Sequence, residues 1–152
     1  MILERGDMWS VFGKTDLFLI TTNPIVRKDG GVVMGRGIAK QAADRFPKLP
    51  CQIGELLVNW EVFVSSTIPM YSAPVGEYDG QLIGFFMVKK HWREKACLDI
   101  IEKSVKDVCA FSQRCARIDL NFPGIGNGKL AREDVLPVIS KLPDNVHVWE
   151  YA

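Results

Sequence analysis

Soft metal ligands are scarce in this chain: its 152 residues hold two histidines and four cysteines, Cys51, Cys97, Cys109 and Cys115, and no CxxC pair. That scatter excludes a recognisable zinc motif or disulfide framework, so the expectation is reduced structural thiols in a cytoplasmic protein, with no metal and no cofactor. No apolar run reaches the ~18 residues of a membrane span. The opening "MILERGDMWS" has no basic segment leading into a long apolar one, so no signal peptide is expected. Neither sign of charge is in excess: 19 Lys and Arg against 18 Asp and Glu leave a formal +1. This argues against a protein that coats nucleic acid through bulk charge, while leaving room for a local basic patch. No repeat, low-complexity tract or linker breaks the chain. Residues 1–152 therefore read as one domain, and the 47% hydrophobic content is enough for a core.

"DLFLITTN" (16–23) suits a buried strand. Ile38, Ala39, Ala42, Ala43 and Phe46 recur at helical spacing from Gly37, and Pro47 closes that helix. "WEVFVSSTI" (60–68) and "QLIGFFMV" (81–88) read as strands, joined by a turn-rich "APVGEYDG" (73–80). A helix over 93–112 carries one apolar stripe of Cys97, Ile100, Ile101, Val105, Val108 and Phe111. A strand near 117–122, a glycine-rich loop, a helix near 132–141 and a final strand "NVHVWEY" (145–151) complete the chain. Alternating strands and helices give an α/β class, a three-layer α/β/α sandwich on a mixed, mostly parallel sheet.

Ligands of such folds sit beyond the carboxyl ends of the strands. Two glycine-rich loops occupy that place, from Asn23 to Gly37 and "FPGIGNGKL" (122–130), and neither is a Walker A or GxGxxG fingerprint. Glycine lets backbone N–H groups approach an anion, and a helix N-terminus adds unpaired donors. Tight turns use the same residues. On composition alone, the loops read equally as turns or as a clamp for a diphosphate.

The pattern of these loops resembles the macro domain, an ADP-ribose-binding module, over nearly the whole chain. "RGDMW" (5–9) is similar to the family's early Gly-Asp, which would make Asp7, with Met8 beside it, the acceptor for the adenine amino group. "TTNPIVRKDGGVVMGRGIAKQAADRFP" (21–47) resembles the branch carrying "MGxGIA", which includes terminal ADP-ribose protein glycohydrolases and antitoxin-type DNA ADP-ribosyl glycohydrolases. The resemblance places Asn23 near the distal ribose and Met34, Gly35, Arg36, Gly37 and Ile38 under the phosphates. In "FPGIGNGKLAREDV" (122–135) it makes Pro123, Gly124, Ile125, Gly126, Asn127, Gly128, Lys129 and Leu130 the second phosphate loop.

The resemblance further implies hydrolysis of ADP-ribose from a modified protein or nucleic acid. The strand "LIGFFMVKKHWREK" (82–95) ends in Lys89, at the position of a lysine used covalently in that branch. Desolvation lowers a lysine's pKa and frees its lone pair, and Lys90 and Arg93 would push the same way. Two departures stand against catalysis. Lys129, Leu130, Ala131 and Arg132 bring no carboxylate where the terminal hydrolases use one, with Glu133 and Asp134 falling in a first helical turn. "VRKDGG" (26–31) lengthens the first loop; its Asp29 is either an acid or base near the distal ribose or a simple Asp-Gly turn. His91 would assist proton transfer or merely pack against Trp92, and His147, Trp9, Trp60 and Trp149 read as structural. Trp92, in a basic setting, would stack on a base. The alternatives are a non-catalytic ADP-ribose reader and a phosphatase acting on ADP-ribose with a terminal phosphate.

Overall fold

The computed structural model describes residues 1–63 and 70–151. The strands are β1 (Ile2–Arg5), β2 (Leu17–Thr22), β3 (Ser72–Tyr78), β4 (Gln81–Met87), β5 (Ile118–Asn121) and β6 (Val146–Glu150). The helices are α1 (Gly37–Arg45), α2 (Leu49–Phe63), α3 (Leu98–Phe111) and α4 (Arg132–Ile139). One six-stranded sheet runs in the order β1-β6-β5-β2-β4-β3. Every pairing is parallel except the β3–β4 hairpin.

Side-chain alternation along β2 decides what covers each face. Leu17 and Leu19 join one apolar cluster with Ile101, Val105 and Val108 of α3 and Val135 and Ile139 of α4. Phe18 and Ile20 join the other, with Ala39 and Ala42 of α1 and Leu49 and Ile53 of α2. A central strand buried on both sides reads as a continuous apolar run, as "LFLI" does. The result is a sheet between two helical layers, the expected α/β class.

Three expectations along the chain are corrected. The strand placed at 60–68 is not there: residues 60–63 belong to α2, and 64–68 lie outside the described residues. β-branched and aromatic residues suggested a strand, but Pro50 pre-sets the first helical turn, and Leu49, Ile53, Leu56 and Leu57 turn one apolar face to the core. The stretch 73–80 is not a connection but β3 with its turn. Asp79 and Gly80 both have positive φ, 50° and 79°, the two-residue hairpin geometry that matches strand twist. Pro74 is tolerated because β3 is an edge strand, with a register shift between Pro74 and Gly76. β1 had no counterpart in the sequence reading. α3 begins at Leu98 rather than at 93, with Cys97 as its N-cap residue. Trp9 and Trp149 are half-buried against the second cluster, and Trp60 lies among residues whose side chains are not described. All four cysteines are unpaired.

Asp119, fully buried on β5, ties the sheet together where β6 joins it. It accepts from Arg117 Nε at 2.9 Å and Nη2 at 3.0 Å, and from Trp149 Nε1 at 2.8 Å. Burial pushes its pKa up, but hydrogen bonds from Arg117 and Trp149 outweigh burial and hold the carboxyl below its ordinary range. A carboxyl with a depressed folded pKa stabilises the fold fully above the unfolded value of about 4, and loses that contribution as pH falls through the folded value. Asp119→Ala should cost about 2–4 kcal/mol, since it leaves Arg117 and the indole N–H without their acceptor. Urea unfolding at pH 7 and across the acid range tests this: the variant should lose part of the wild type's acid limb. Parallel acid limbs would mean that Asp119 does not contribute as described.

Candidate functional site

Five parallel strands end on one side of the sheet, and a cavity of about 420 Å³ runs across those ends. From β1 to β4 the row crosses four inter-strand gaps of about 4.8 Å each, ~19 Å in all, long enough for a ligand with two distinct ends. Asp7, which follows β1, and Lys89, which follows β4, line opposite ends of that row. The two glycine loops line its middle.

Between β2 and α1, the cavity is lined by Gly35, Arg36, Gly37 and Ile38. Arg36 is the N-cap residue of α1 but gives no side-chain cap, so the first-turn amides keep free donors toward the cavity. After β5, the lining comes from Phe122 and then from Gly124, Ile125, Gly126, Asn127 and Gly128, and stops there. The N-terminus of α4 is not part of the wall. Its first turn carries Glu133 and Asp134, which complement the dipole themselves.

The glycines divide into two kinds. Gly124 has φ +80°, and a Cβ there would lie 2.8 Å from Ile101 Cδ1; a Cβ on Gly128 would lie 2.4 Å from Gly124 O. Those two are demanded by the loop's own packing. Gly35 and Gly126 are different: each has ordinary φ, and a Cβ would meet nothing within 4 Å. Both border the cavity, on loops that approach each other closely enough to put Asn127 Nδ2 3.1 Å from a Cβ on Gly37.

Lys89 is half-buried, and its Nζ donates to Asn127 O at 3.4 Å. Burial lowers its pKa first, and the charges of Arg36 and Lys129 lower it further. The sequence reading assigned that second effect to Lys90 and Arg93; cations from the two glycine loops supply it instead. Asp7 accepts from Trp9 N at 3.0 Å through Oδ1, which leaves Oδ2 for another donor. Asn23 borders the cavity but is engaged at both ends: Nδ2 donates to Val33 O at 3.0 Å and Oδ1 accepts from Ile25 N at 2.9 Å. Its clear work is to shape the first loop.

Five of the expected site residues do not line the cavity: Asp29, Met34, Pro123, Lys129 and Leu130. Met34 and Pro123 are buried, and Leu130 packs on the α3–α4 cluster while its N–H donates to Gly124 O. Lys129, at φ 59°, turns the chain and reaches the site only through its charge. Asp29 caps its own turn, accepting from Gly31 N at 2.9 Å, with Arg27 Nη2 at 3.4 Å. That turn is seated on α2, where Val32 N donates to Pro50 O and Gly54 leaves room for Gly30 O. The longer first loop therefore leans on a helix, away from Lys89.

Other lining residues carried no sequence signal. Asn121 Oδ1 accepts from Thr21 N at 3.2 Å, and its Nδ2 donates to Thr21 Oγ1 at 2.8 Å. Thr22 Oγ1 is buried with no hydrogen-bond partner among the described residues. At the Asp7 end, Trp149 and Glu150 join the wall, and Arg132 clamps Glu150 with bonds of 2.7 and 2.8 Å. Among the described residues no cluster of three or more His, Cys, Asp or Glu could hold a metal, and no helix is long and apolar enough to cross a membrane.

No family model matches the chain. It is 31% identical over 147 residues to the DNA ADP-ribosyl glycohydrolase of Mycobacterium tuberculosis, covering 88% of this chain and 39% of that protein. The Thermus aquaticus protein of the same name is 30% identical over 130 residues, 78% of this chain and 34% of that one. The chain thus spans well under half the length of these relatives. The macrodomain of Mycobacterium tuberculosis DarG superposes with a TM-score of 0.70 at 28% identity, covering 99% of this chain and 97% of that one. Thermosipho africanus DarTG in complex with ADP-ribose shares the fold, at TM-score 0.74 and 18% identity over 42% of its length.

The two kinds of glycine are separable by stability. Gly128→Ala should cost about 1–3 kcal/mol through overpacking, whereas Gly126→Ala should stay within about 0.5 kcal/mol of wild type. Equal costs in chemical denaturation would mean both are turn residues and the distinction is wrong.

Proposed function

Because the chain belongs to the macro-domain family, we propose that its cleft binds ADP-ribose and that Lys89 releases the ADP-ribosyl group from a modified macromolecule in a cytoplasmic setting. Gly35 and Gly126 carry this reading: facing loops keep a side chain off positions where the protein itself leaves space, as close approach of a diphosphate requires. α1 offers its uncapped amides to the phosphates, and the Asp7 carboxylate keeps one oxygen for the adenine amino group. Lys89, at the other end of the row, then faces the distal ribose.

In the covalent step, neutral Lys89 Nζ gives its lone pair to the anomeric carbon. The bond from that carbon to the modified group breaks, and its electron pair leaves on the departing atom, which takes up a proton. Water later adds at the same carbon and returns the amine. Burial beside Arg36 and Lys129 raises the fraction of neutral amine available for attack. A reader without turnover is the second reading, favoured by one observation: the lining carboxylates, Asp7 and Glu150, sit at the end away from Lys89.

Calorimetry with ADP-ribose should give one site near micromolar affinity, about −8 kcal/mol, and tighter than AMP or ribose 5-phosphate. Gly126→Val should abolish that heat while the fold persists; unchanged affinity would remove the second loop from the site. Lys89→Ala should abolish release of ADP-ribose from an ADP-ribosylated oligonucleotide and leave ADP-ribose binding near normal. Because attack needs the unprotonated amine, wild-type turnover should rise with pH through a value below the ordinary lysine value of 10.5. Turnover surviving in Lys89→Ala would end the covalent reading, and no turnover in wild type would favour the reader.

A further inference from the structure

Strand order sets the order in which the cleft meets its ligand. The row of strand ends runs β1, β6, β5, β2, β4, with Asp7 beyond the first and Lys89 beyond the last. A ligand laid along it with its base at Asp7 and its diphosphate over the two glycine loops has one group left for the end of β6. That group is the ribose between base and phosphate, one strand spacing of about 4.8 Å from the Asp7 end. Gly6 N donates to Glu150 O at 2.9 Å, which ties the Asp7 turn to the end of β6. The side chain standing there is Glu150, and it lines the cleft.

This carboxylate is held in place. Arg132 Nε and Nη2 donate to its two oxygens at 2.8 and 2.7 Å, and the Glu150 side chain is 17% exposed against 44% for Arg132. The Arg132 hydrogen bonds lower its pKa, and the charges of Arg132 and Arg5 add to them against the opposing effect of burial. Both arginines stand behind it. With Leu3 and Glu150 they line a separate surface hollow, and of those four only Glu150 reaches the cleft wall. Each carboxylate oxygen gives one lone pair to Arg132 and keeps another. A fixed pair of acceptor oxygens suits two neighbouring hydroxyl donors and repels a second anion. An ion pair that only pins α4 to β6 has no reason to turn its acid toward a cleft for a diphosphate; one that also reads a diol does.

We propose that Glu150 accepts from the hydroxyls of the adenine-side ribose and makes the cleft reject ligands that carry a phosphate on the 2′-oxygen of that ribose. Arg132 is the positioning residue that fixes the carboxylate. This rests on the cleft reading above and narrows its ligand class to ADP-ribose with a free adenosine-side diol. Acids at strand ends discriminate in the same sense in dinucleotide-binding folds, where the carboxylate takes the 2′-hydroxyl and an arginine is needed to accommodate a 2′-phosphate.

The test is calorimetry of the whole chain with three ligands: ADP-ribose, its adenosine 2′-phosphate, and the analogue lacking the adenosine 2′-hydroxyl. Wild type should bind the deoxy analogue on the order of tenfold more weakly, the loss of one hydrogen bond to a charged group. It should bind the 2′-phosphate at least on the order of tenfold more weakly still, through like-charge contact. Glu150→Gln, nearly the same size, should lose that repulsion and bind ADP-ribose and the 2′-phosphate within about threefold of each other. Arg132→Leu should weaken ADP-ribose binding, because the carboxylate is no longer fixed, and keep the rejection of the 2′-phosphate. Circular dichroism and urea midpoints of both variants separate these effects from damage to the fold. A bridge that only anchors α4 predicts lower midpoints in both variants and an unchanged ratio between the ligands; that result would overturn the proposal. So would wild type binding the 2′-phosphate as tightly as ADP-ribose, a comparison that needs no variant. Absence of ADP-ribose heat in wild type is a separate outcome, which would remove the cleft reading and this assignment with it.

Discussion

Parallel pairing of β2 with both β4 and β5 is the constraint on which the rest depends. It turns the ends of three central strands in one direction, so the loops after residues 22, 87 and 121 emerge side by side. Two βαβ crossovers, through α3 and α4, are needed to keep that direction, and their helices must share a face of the sheet. α1 and α2 then cover the other face, and α1 starts where β2's loop arrives. The meeting of Arg36, Lys89 and Lys129 is thus a result of strand direction: three cations far apart in sequence converge because their strands run together.

A burial requirement keeps that pairing in register. Leu17 and Leu19 face one helical layer while Phe18 and Ile20 face the other, all with no exposure. A slip by one residue would exchange the two sets between layers of different shape. Further along the same strand, Thr21 bonds Asn121 and Thr22 borders the cavity. The apolar half of β2 fixes the sheet, and its polar end delivers the floor of the cleft.

Local sequence carried the parts of this arrangement that depend on local physics. β2, β4, α1 and the two glycine loops were legible because apolar runs, helical spacing and glycine clusters are short-range signals. α2 and β3 were misread for the same reason. Val, Phe and Trp near residue 60 favour a strand until Pro50 and the α2 face are packed, and Pro-Val-Gly reads as a turn until β4 pairs with it. The site divided along a similar line. Asp7, Arg36, Gly126 and Lys89 were readable from motif resemblance, whereas the Thr21–Asn121 pair spans a hundred residues and leaves no trace in either segment. Asp29 was ambiguous because an Asp-Gly turn and an acid look alike in sequence. Only its seat on α2 separates them.

Glycine shows most clearly why composition alone left the loops undecided. Gly124 and Gly128 exist for the chain: one needs a left-handed backbone, the other leaves room for a carbonyl. Gly35 and Gly126 satisfy no such need, because a Cβ on either would meet nothing within 4 Å. Selection for the fold alone would not hold glycine there, since glycine costs backbone entropy. In the cleft reading proposed above, the space they keep open serves something that enters from outside, and its chemistry follows from what surrounds it. Uncapped amides and loop N–H groups at the centre favour an anion, an acceptor carboxylate at one end favours a donor such as an exocyclic amine, and a poorly solvated amine at the other favours an electrophilic carbon. A ligand with a base, a diphosphate and an acetal carbon in that order satisfies all three positions in a single orientation, and its reversal would set the base against three cations and leave Asp7 without a donor.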